Sequence, residues 1–238
     1  MVKIGVLKLE GYREWTESIG FDREWIIQTI QANIYKWLQE RISRINGFVI
    51  PLRYDYMVLI LEGVDDNDVL DVIENLSSLS PVPIRLSIGC GKTPYQAQVI
   101  ATNRLVENNC MICIEECKPM EIVAAHFDVN DFSSLVNKLS VYDTYIEVEK
   151  LCIDLSKRIQ KLGGISQYLG GDNILAFVSI DVIEDIKKIV DSIPGLKVGI
   201  GVSNNTRKAL ENAARALDII RRNRGKENIN YMVIQSNE

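Results

Sequence analysis

The sequence predicts an α+β protein of two tandem domains, residues 1–118 and 119–238. Each is expected to be a ferredoxin-like or palm arrangement, a βαββαβ core followed by one more helix and strand. Three observations lead there. The segments 47–60 and 164–177 both read apolar run, short turn with an aspartate, apolar run, so that Asp55 and Asp172 occupy the same place. At a nearly equal shift, Ile88-Gly89-Cys90-Gly91 followed by Ala97 and Ala101 matches Ile200-Gly201-Val202-Ser203 followed by Ala209 and Ala213. Both halves also present the same order of apolar periodicities, which is how a duplicated domain shows itself in sequence.

The elements follow in chain order. Residues 2–9 are apolar and rich in β-branched side chains, and read as a buried strand. Ile27, Ile30, Ile34, Leu38 and Ile45 recur near helical spacing and give the segment 22–44 one apolar face. A hairpin is expected around 53–56, then a short helix at 66–78 and a strand at 83–89. The helix 94–107 begins on Pro94, where a missing N–H removes no intrahelical bond. A last strand falls near Met111, and the domain boundary at Lys118-Pro119. The second half predicts strand 121–129, helix 141–162, hairpin 165–178, helix 181–192, strand 196–202, helix 206–222 and strand 229–235.

Composition excludes whole classes of function. Of 238 residues, 47% are hydrophobic and 25% charged, which suits a globular chain able to bury a core. The net charge of −5 and the absence of a long basic run argue against a nucleic-acid or membrane-surface partner. No apolar stretch approaches the ~18 residues of a membrane span, and the apolar run at 2–9 is short for a secretory signal. A cytoplasmic location is therefore expected. The five cysteines, Cys90, Cys110, Cys113, Cys117 and Cys152, are odd in number and lack a disulfide-scaffold spacing, so reduced thiols are expected. Cys110, Cys113 and Cys117 have no fourth cysteine or histidine nearby to complete a zinc site, and 111–114 reads instead as a buried strand. His126 is the only histidine, which leaves acid, base and metal work mainly to carboxylates.

Asp128 and Asp172 form the sharpest constellation. In a βαββαβ sheet the first strand lies beside the hairpin, so an acid ending that strand can face an acid at the hairpin turn. Two such carboxylates repel unless a cation sits between them, and Mg²⁺ favours one or two carboxylates with water and phosphate oxygens. Gly170 and Gly171 remove side chains where a phosphate must approach backbone amides, although Gly-Gly-Asp also suits a plain turn. His126 shares a strand face with Asp128, as a site residue or as a hydrogen-bonded interior histidine. Asp143-Thr144-Tyr145 opens a long helix, where such residues cap orphan amides or bind anions. Tyr12 and Trp15 could stack on a purine or pack internally. Asp55 either matches Asp172 in role or pairs with Arg53 in its turn.

Gly170-Gly171-Asp172-Asn173, Phe127-Asp128-Val129-Asn130-Asp131-Phe132, the Gly-Ile-Gly-Val strand at 199–202 and the alanine-rich helix ending at Arg221 resemble the palm of diguanylate cyclases. Tyr12 with Trp15-Thr16, Thr93-Pro94-Tyr95, His126 with Asp128 and Tyr142-Asp143-Thr144-Tyr145 extend the resemblance to the archaeal GTP cyclohydrolase III family, over essentially the whole chain. That resemblance implies GTP as substrate, opening of the guanine ring to a formylaminopyrimidine ribonucleotide monophosphate with release of phosphate, Mg²⁺ and a monovalent cation such as K⁺; a homo-oligomer is expected besides. It implies metal ligation by Asp128, Asp172 and the Val129 carbonyl, with His126, Asp131 and Asp143 as candidate bases. Glu10, Tyr12, Trp15, Asp55, Asn130, Asp131, Phe132, Asp143, Thr144, Tyr145, Gly170, Gly171 and Arg221 are implied at the nucleotide, Arg221 at a terminal phosphate. Asn173 replaces the usual glutamate of diguanylate cyclases, and Lys8 stands where the repeat would place an Asp128, with Glu10 opposite Asn130. One metal pair per chain is therefore expected, the first half supplying substrate contacts. A nucleotidyl or diguanylate cyclase, or a degenerate palm that senses a nucleotide, are the competing readings.

Overall fold

Strand β1 (Val2–Leu9) is buried on both faces along nearly its whole length, as its valines, isoleucines and leucines require. It is the centre of the first of two sheets in a computed structural model that describes residues 1–107, 111–129, 137–223 and 229–236. The chain divides into two units, Met1–Lys92 with Gln96–Pro119, and Thr93–Tyr95 with Met120–Glu238. In the first unit β1 is followed by α1 (Tyr12–Ser18), α2 (Glu24–Arg44), β2 (Phe48–Ile50), β3 (Tyr56–Ile60), α3 (Asp66–Ser77), β4 (Ile84–Gly91), α4 (Pro94–Glu107) and β5 (Ile112–Cys113). The sheet order is β2-β3-β1-β4-β5, with β1 antiparallel to β3 and β4 and β5 parallel to β4. Ile34, Leu38 and Ile42 of α2 and Val69, Ile73 and Leu76 of α3 bury against Leu7, Met57, Leu59 and Leu86 of the sheet.

The second unit repeats the plan with β6 (Ile122–Val129), α5 (Val141–Lys161), β7 (Ile165–Gly170), β8 (Asn173–Val178), a 3₁₀ turn at Ile180–Val182, α6 (Ile183–Asp191), β9 (Leu196–Ser203), α7 (Thr206–Arg222) and β10 (Tyr231–Gln235). Its order is β10-β9-β6-β8-β7, and β6 is antiparallel to both neighbours. Val123, Ala125 and Phe127 point to the face covered by Val148, Leu155 and Ile159 of α5 and Ile186 and Val190 of α6. Strand alternation sends His126 and Asp128 to the opposite face. There α7 lies directly on the backbone of β9, because Gly199 and Gly201 carry no side chain; a Cβ at Gly201 would sit 2.0 Å from the Ala209 carbonyl oxygen.

The α+β class and the two βαββαβ-plus-helix-and-strand orders match the sequence reading, with two differences. Helix α1 was not anticipated: it has seven residues, starts after Gly11 in a left-handed conformation (φ 68°) and has no side-chain cap, so neither length nor capping chemistry announces it. The segment 111–114 is not a buried strand. Only Ile112 and Cys113 pair with β4, at the sheet edge, and Met111 and Ile114 are exposed.

The thiol expectation is also corrected. Cys90, buried in β4, and Cys117 form a disulfide with a Cα–Cα separation of 5.7 Å, inside the usual range. Cys117 is thus not a thiolate ligand, Cys110 lies outside the described residues, and no group of three or more His, Cys, Asp or Glu among the described residues could hold a metal. Cys152 is a buried free thiol pushed up to about 11, chiefly by desolvation. Closing a 27-residue separation restricts the unfolded chain by about 3.5 kcal/mol in the loop-entropy view. Reduction, or Cys117→Ser, should lower the melting temperature of the first unit. An unchanged melting curve under reductant would show that the closure contributes nothing. No helix among the described residues is long and apolar enough to cross a membrane.

Candidate active site

Asp128 is buried near the end of β6, at 7% relative exposure. Both flanking strands fix it, since its partners in register are Asn173 on β8 and Lys197 on β9. The turn before β8 brings Asp172 beside this pair. Gly170 and Gly171 hold φ of 102° and 62°, left-handed values that glycine adopts without a Cβ penalty, and so the turn ends on Asp172 with Asn173 already in the strand. The Tyr168 hydroxyl donates to the Gly171 carbonyl at 3.0 Å and holds the turn from β7.

A hydrogen-bonded chain runs through the turn. Asn173 Nδ2 donates to Asp172 Oδ1 at 2.9 Å, and Asn173 Oδ1 lies 3.0 Å from His126 Nε2. An ionised carboxylate only accepts, so the amide nitrogen must face Asp172 and the amide oxygen must face the histidine. His126 therefore carries its proton on Nε2, leaving the Nδ1 lone pair for other use. From the last turn of α7, Arg221 donates through Nη2 to Asp128 Oδ1, and its Nε lies 3.4 Å from Oδ2.

These neighbours set the protonation states. Hydrogen bonding to Asp128 raises the Arg221 pKa above its ordinary value, and the Asp172 charge adds to it. Desolvation lowers the His126 pKa; the Asn173 hydrogen bond and both aspartates oppose this, while Arg221 reinforces it. The folded protein thus holds His126 neutral in a range where the unfolded chain takes up a proton. This stability is intact above the unfolded value of about 6.5 and is lost as pH falls from there through the lowered folded pKa. With one histidine in the chain, a single imidazole NMR resonance measures it, and a midpoint at or above 6.5 would contradict the burial argument.

The corresponding place in the first unit is built differently. Lys8 pairs in register with Tyr56, the residue after Asp55, as Asp128 pairs with Asn173 after Asp172. Its ammonium donates to Glu10 at 2.8 and 3.0 Å, and Arg85 reaches the same carboxylate at 3.3 Å. The Lys8 hydrogen bond is the largest cause of a lowered Glu10 pKa. Asp55 accepts from Arg53 at 3.0 Å through Oδ2, while its Oδ1 is buried without a hydrogen-bond partner. Lys8, Glu10, Tyr12, Arg53, Asp55 and Tyr56 line an open cleft of about 700 Å³. Tyr12 receives a hydrogen bond from Gln31 and packs on Trp15 with ring centroids 5.4 Å apart.

The remaining candidates divide. Ser140 caps α5, its hydroxyl accepting from the Asp143 backbone N–H at 3.1 Å and donating to the Asp143 carboxylate at 2.6 Å. Thr144 is buried, its hydroxyl donating to the Ser140 carbonyl. Tyr142 and Tyr145 stay exposed, with rings 6.1 Å apart. Burial raises the Tyr168 pKa, with smaller contributions from Cys152, Glu149, Tyr145 and Asp172. Asn130, Asp131 and Phe132 lie outside the described residues. Sequence reasoning missed Tyr168 and Lys197 and treated Asn173 only as a departure from the cyclase motif. A lysine at a buried position of an otherwise apolar strand was the available signal for Lys197; Tyr168 offered none.

The sequence profile of GTP cyclohydrolase III matches residues 2–236. The chain belongs to that family. A GTP cyclohydrolase III of Sulfurisphaera tokodaii is 41% identical over 225 residues, covering 92% of this chain and 94% of that protein. One from Saccharolobus islandicus is 38% identical, covering 94% and 97%. GTP cyclohydrolase III family members are enzymes, and this chain aligns with them through both units. Among solved structures, the GGDEF domain of DgcB from Caulobacter crescentus is similar at 15% identity and a TM-score of 0.38, covering 48% of this chain and 77% of that one. That likeness is too slight to bear on function.

Proposed function

We propose that this family member hydrolyses GTP to 2-amino-5-formylamino-6-ribosylamino-pyrimidinone 5'-monophosphate, in the cytoplasm and as a homo-oligomer, with Mg²⁺ and an activating K⁺. The observation that carries the reading is the buried Asp128 beside the Asp172 turn, with positive charge already drawn to it by geometry. The donor set fits the metal: two carboxylates and the Val129 carbonyl are hard oxygen ligands, which Mg²⁺ takes together with phosphate oxygens and water. When bound, Mg²⁺ neutralises charge on the triphosphate and its leaving groups.

The chain's own residues do the rest. Gly170 and Gly171 leave room for phosphate oxygens at the turn, and Arg221 supplies a planar fork of donors to them. His126, neutral and fixed by Asn173, can accept a proton at Nδ1 from water attacking C8 of guanine. Opening the imidazole ring at C8–N9 consumes one water, and loss of the two outer phosphoryl groups as phosphate consumes two more. Glu10, Tyr12, Trp15 and Asp55 contribute substrate contacts, and the product fits a step toward a flavin or deazaflavin.

Incubating the purified chain with GTP, Mg²⁺ and K⁺ and identifying products by mass spectrometry tests the reading. The ring-opened monophosphate with phosphate is expected. A cyclic dinucleotide or unchanged GTP would overturn it.

A further inference from the structure

Asp128 and Arg221 present an asymmetry of access. The Asp128 side chain is 9% exposed, whereas that of its partner Arg221 is 49% exposed. The carboxylate is locked between β8 and β9, while the guanidinium reaches in from the end of α7 and can leave into solvent. It spans both carboxylate oxygens, Nη2 against Oδ1 and Nε 3.4 Å from Oδ2. A divalent cation that ligates Asp128 needs one of those oxygens and brings a positive charge against the guanidinium. A buried carboxylate without any counter-ion is strongly unfavourable, which gives the metal-free chain a reason to keep one.

We infer that Arg221 is a resident counter-ion for Asp128 that an arriving divalent cation displaces. The inference rests on the proposed metal reading of Asp128 and Asp172 and adds to it how the site is regulated. In the metal-free chain Arg221 holds the Asp128 carboxylate in place through its two contacts. Metal loading releases the guanidinium at the mouth of the same site, where its fork of donors fits phosphate oxygens. Metal and nucleotide binding are thereby coupled, because the metal frees the arginine that the phosphates then engage. Lys cannot copy the two-point grip, since an ammonium is a point charge.

The test uses Mn²⁺ binding to the full chain by electron paramagnetic resonance, without nucleotide. Arg221→Ala removes the competitor and should tighten Mn²⁺ about tenfold or more, the low end of what one adjacent charge does to a carboxylate's affinity for a competing cation. Arg221→Lys restores the charge and should return the affinity toward that of the wild type. In the wild type, the Arg221 Nε–H resonance, assigned by its loss in Arg221→Lys, should exchange slowly with water without metal and quickly once Mg²⁺ is added. Equal or weaker Mn²⁺ binding by Arg221→Ala, or an Nε–H protection unmoved by Mg²⁺, overturns the displacement alone. Mn²⁺ binding that Asp128→Asn leaves intact, or no binding by wild type and Arg221→Ala alike, overturns the metal reading and the displacement with it.

Discussion

Asp172→Asn is expected to fold normally and to release phosphate from GTP roughly 10²–10³-fold more slowly, the range seen when one preorganised electrostatic contact is removed. Asparagine keeps the size and turn preference of aspartate and can still accept from the Asn173 amide at Oδ1, the 2.9 Å contact of the native turn. What it loses is the charge that the proposed cation would need beside Asp128. Folding is checked by circular dichroism and turnover by phosphate release; near-normal turnover would remove Asp172 from the site. Asp55→Asn is the internal control. Its Arg53 pairing and the Lys8 beside it leave no metal pair in the first unit, so the variant should mainly raise KM, as loss of a uniform binding contact does. If it abolishes kcat as fully as Asp172→Asn, the two acids share one metal role. Chelating divalent ions should stop the reaction, whereas a zinc-selective chelator that spares Mg²⁺ should not.

Gly201→Ala is expected to destabilise the second unit by about 3 kcal/mol, the upper end of overpacking costs. The added methyl would meet the Ala209 carbonyl oxygen at 2.0 Å and the Ala213 nitrogen at 2.4 Å. Both are backbone atoms of α7, so the whole helix must lift. Nearby, the buried Asn212 amide donates to the Val202 carbonyl at 3.2 Å and to the Ser236 hydroxyl at 2.9 Å, and lifting α7 strains both bonds. Gly5→Ala in β1 is the comparison, because the three atoms nearest its methyl are side-chain carbons of Leu61 and Leu59 at 3.1–3.3 Å. Thermal unfolding of the two variants decides the point: equal melting temperatures would show that α7 yields more easily than its close packing implies.

The sheets and long helices were legible because burial on two faces writes continuous apolar runs and burial on one face writes a helical stripe, as in Ile27, Ile34 and Leu38 of α2. The placement of His126 and Asp128 on one face of β6, and of Asp172 at the turn before β8, was legible because strand parity and a Gly-Gly-Asp turn are local facts. What sequence could not carry was partnership at a distance. Arg221 and Asp128 are 93 positions apart and meet only because α7 crosses back over β6. Cys90 and Cys117 meet because the segment after β5 runs beside the end of β4, which no cysteine spacing encodes. Helix α1 escaped because a short helix begun from a left-handed glycine has neither stripe nor cap.

The register match of Lys8 with Asp128 has a genetic consequence. In an assembly of two identical palm subunits, every substitution is expressed twice, so an acid cannot be exchanged for a lysine in one copy while the other keeps its ligand. Fusing the copies into one reading frame removes that constraint. The first unit can then carry the Lys8, Glu10 and Arg85 charge cluster while the second keeps Asp128 for its own use. Each half answers to selection separately, and a mutation at one no longer obliges its twin.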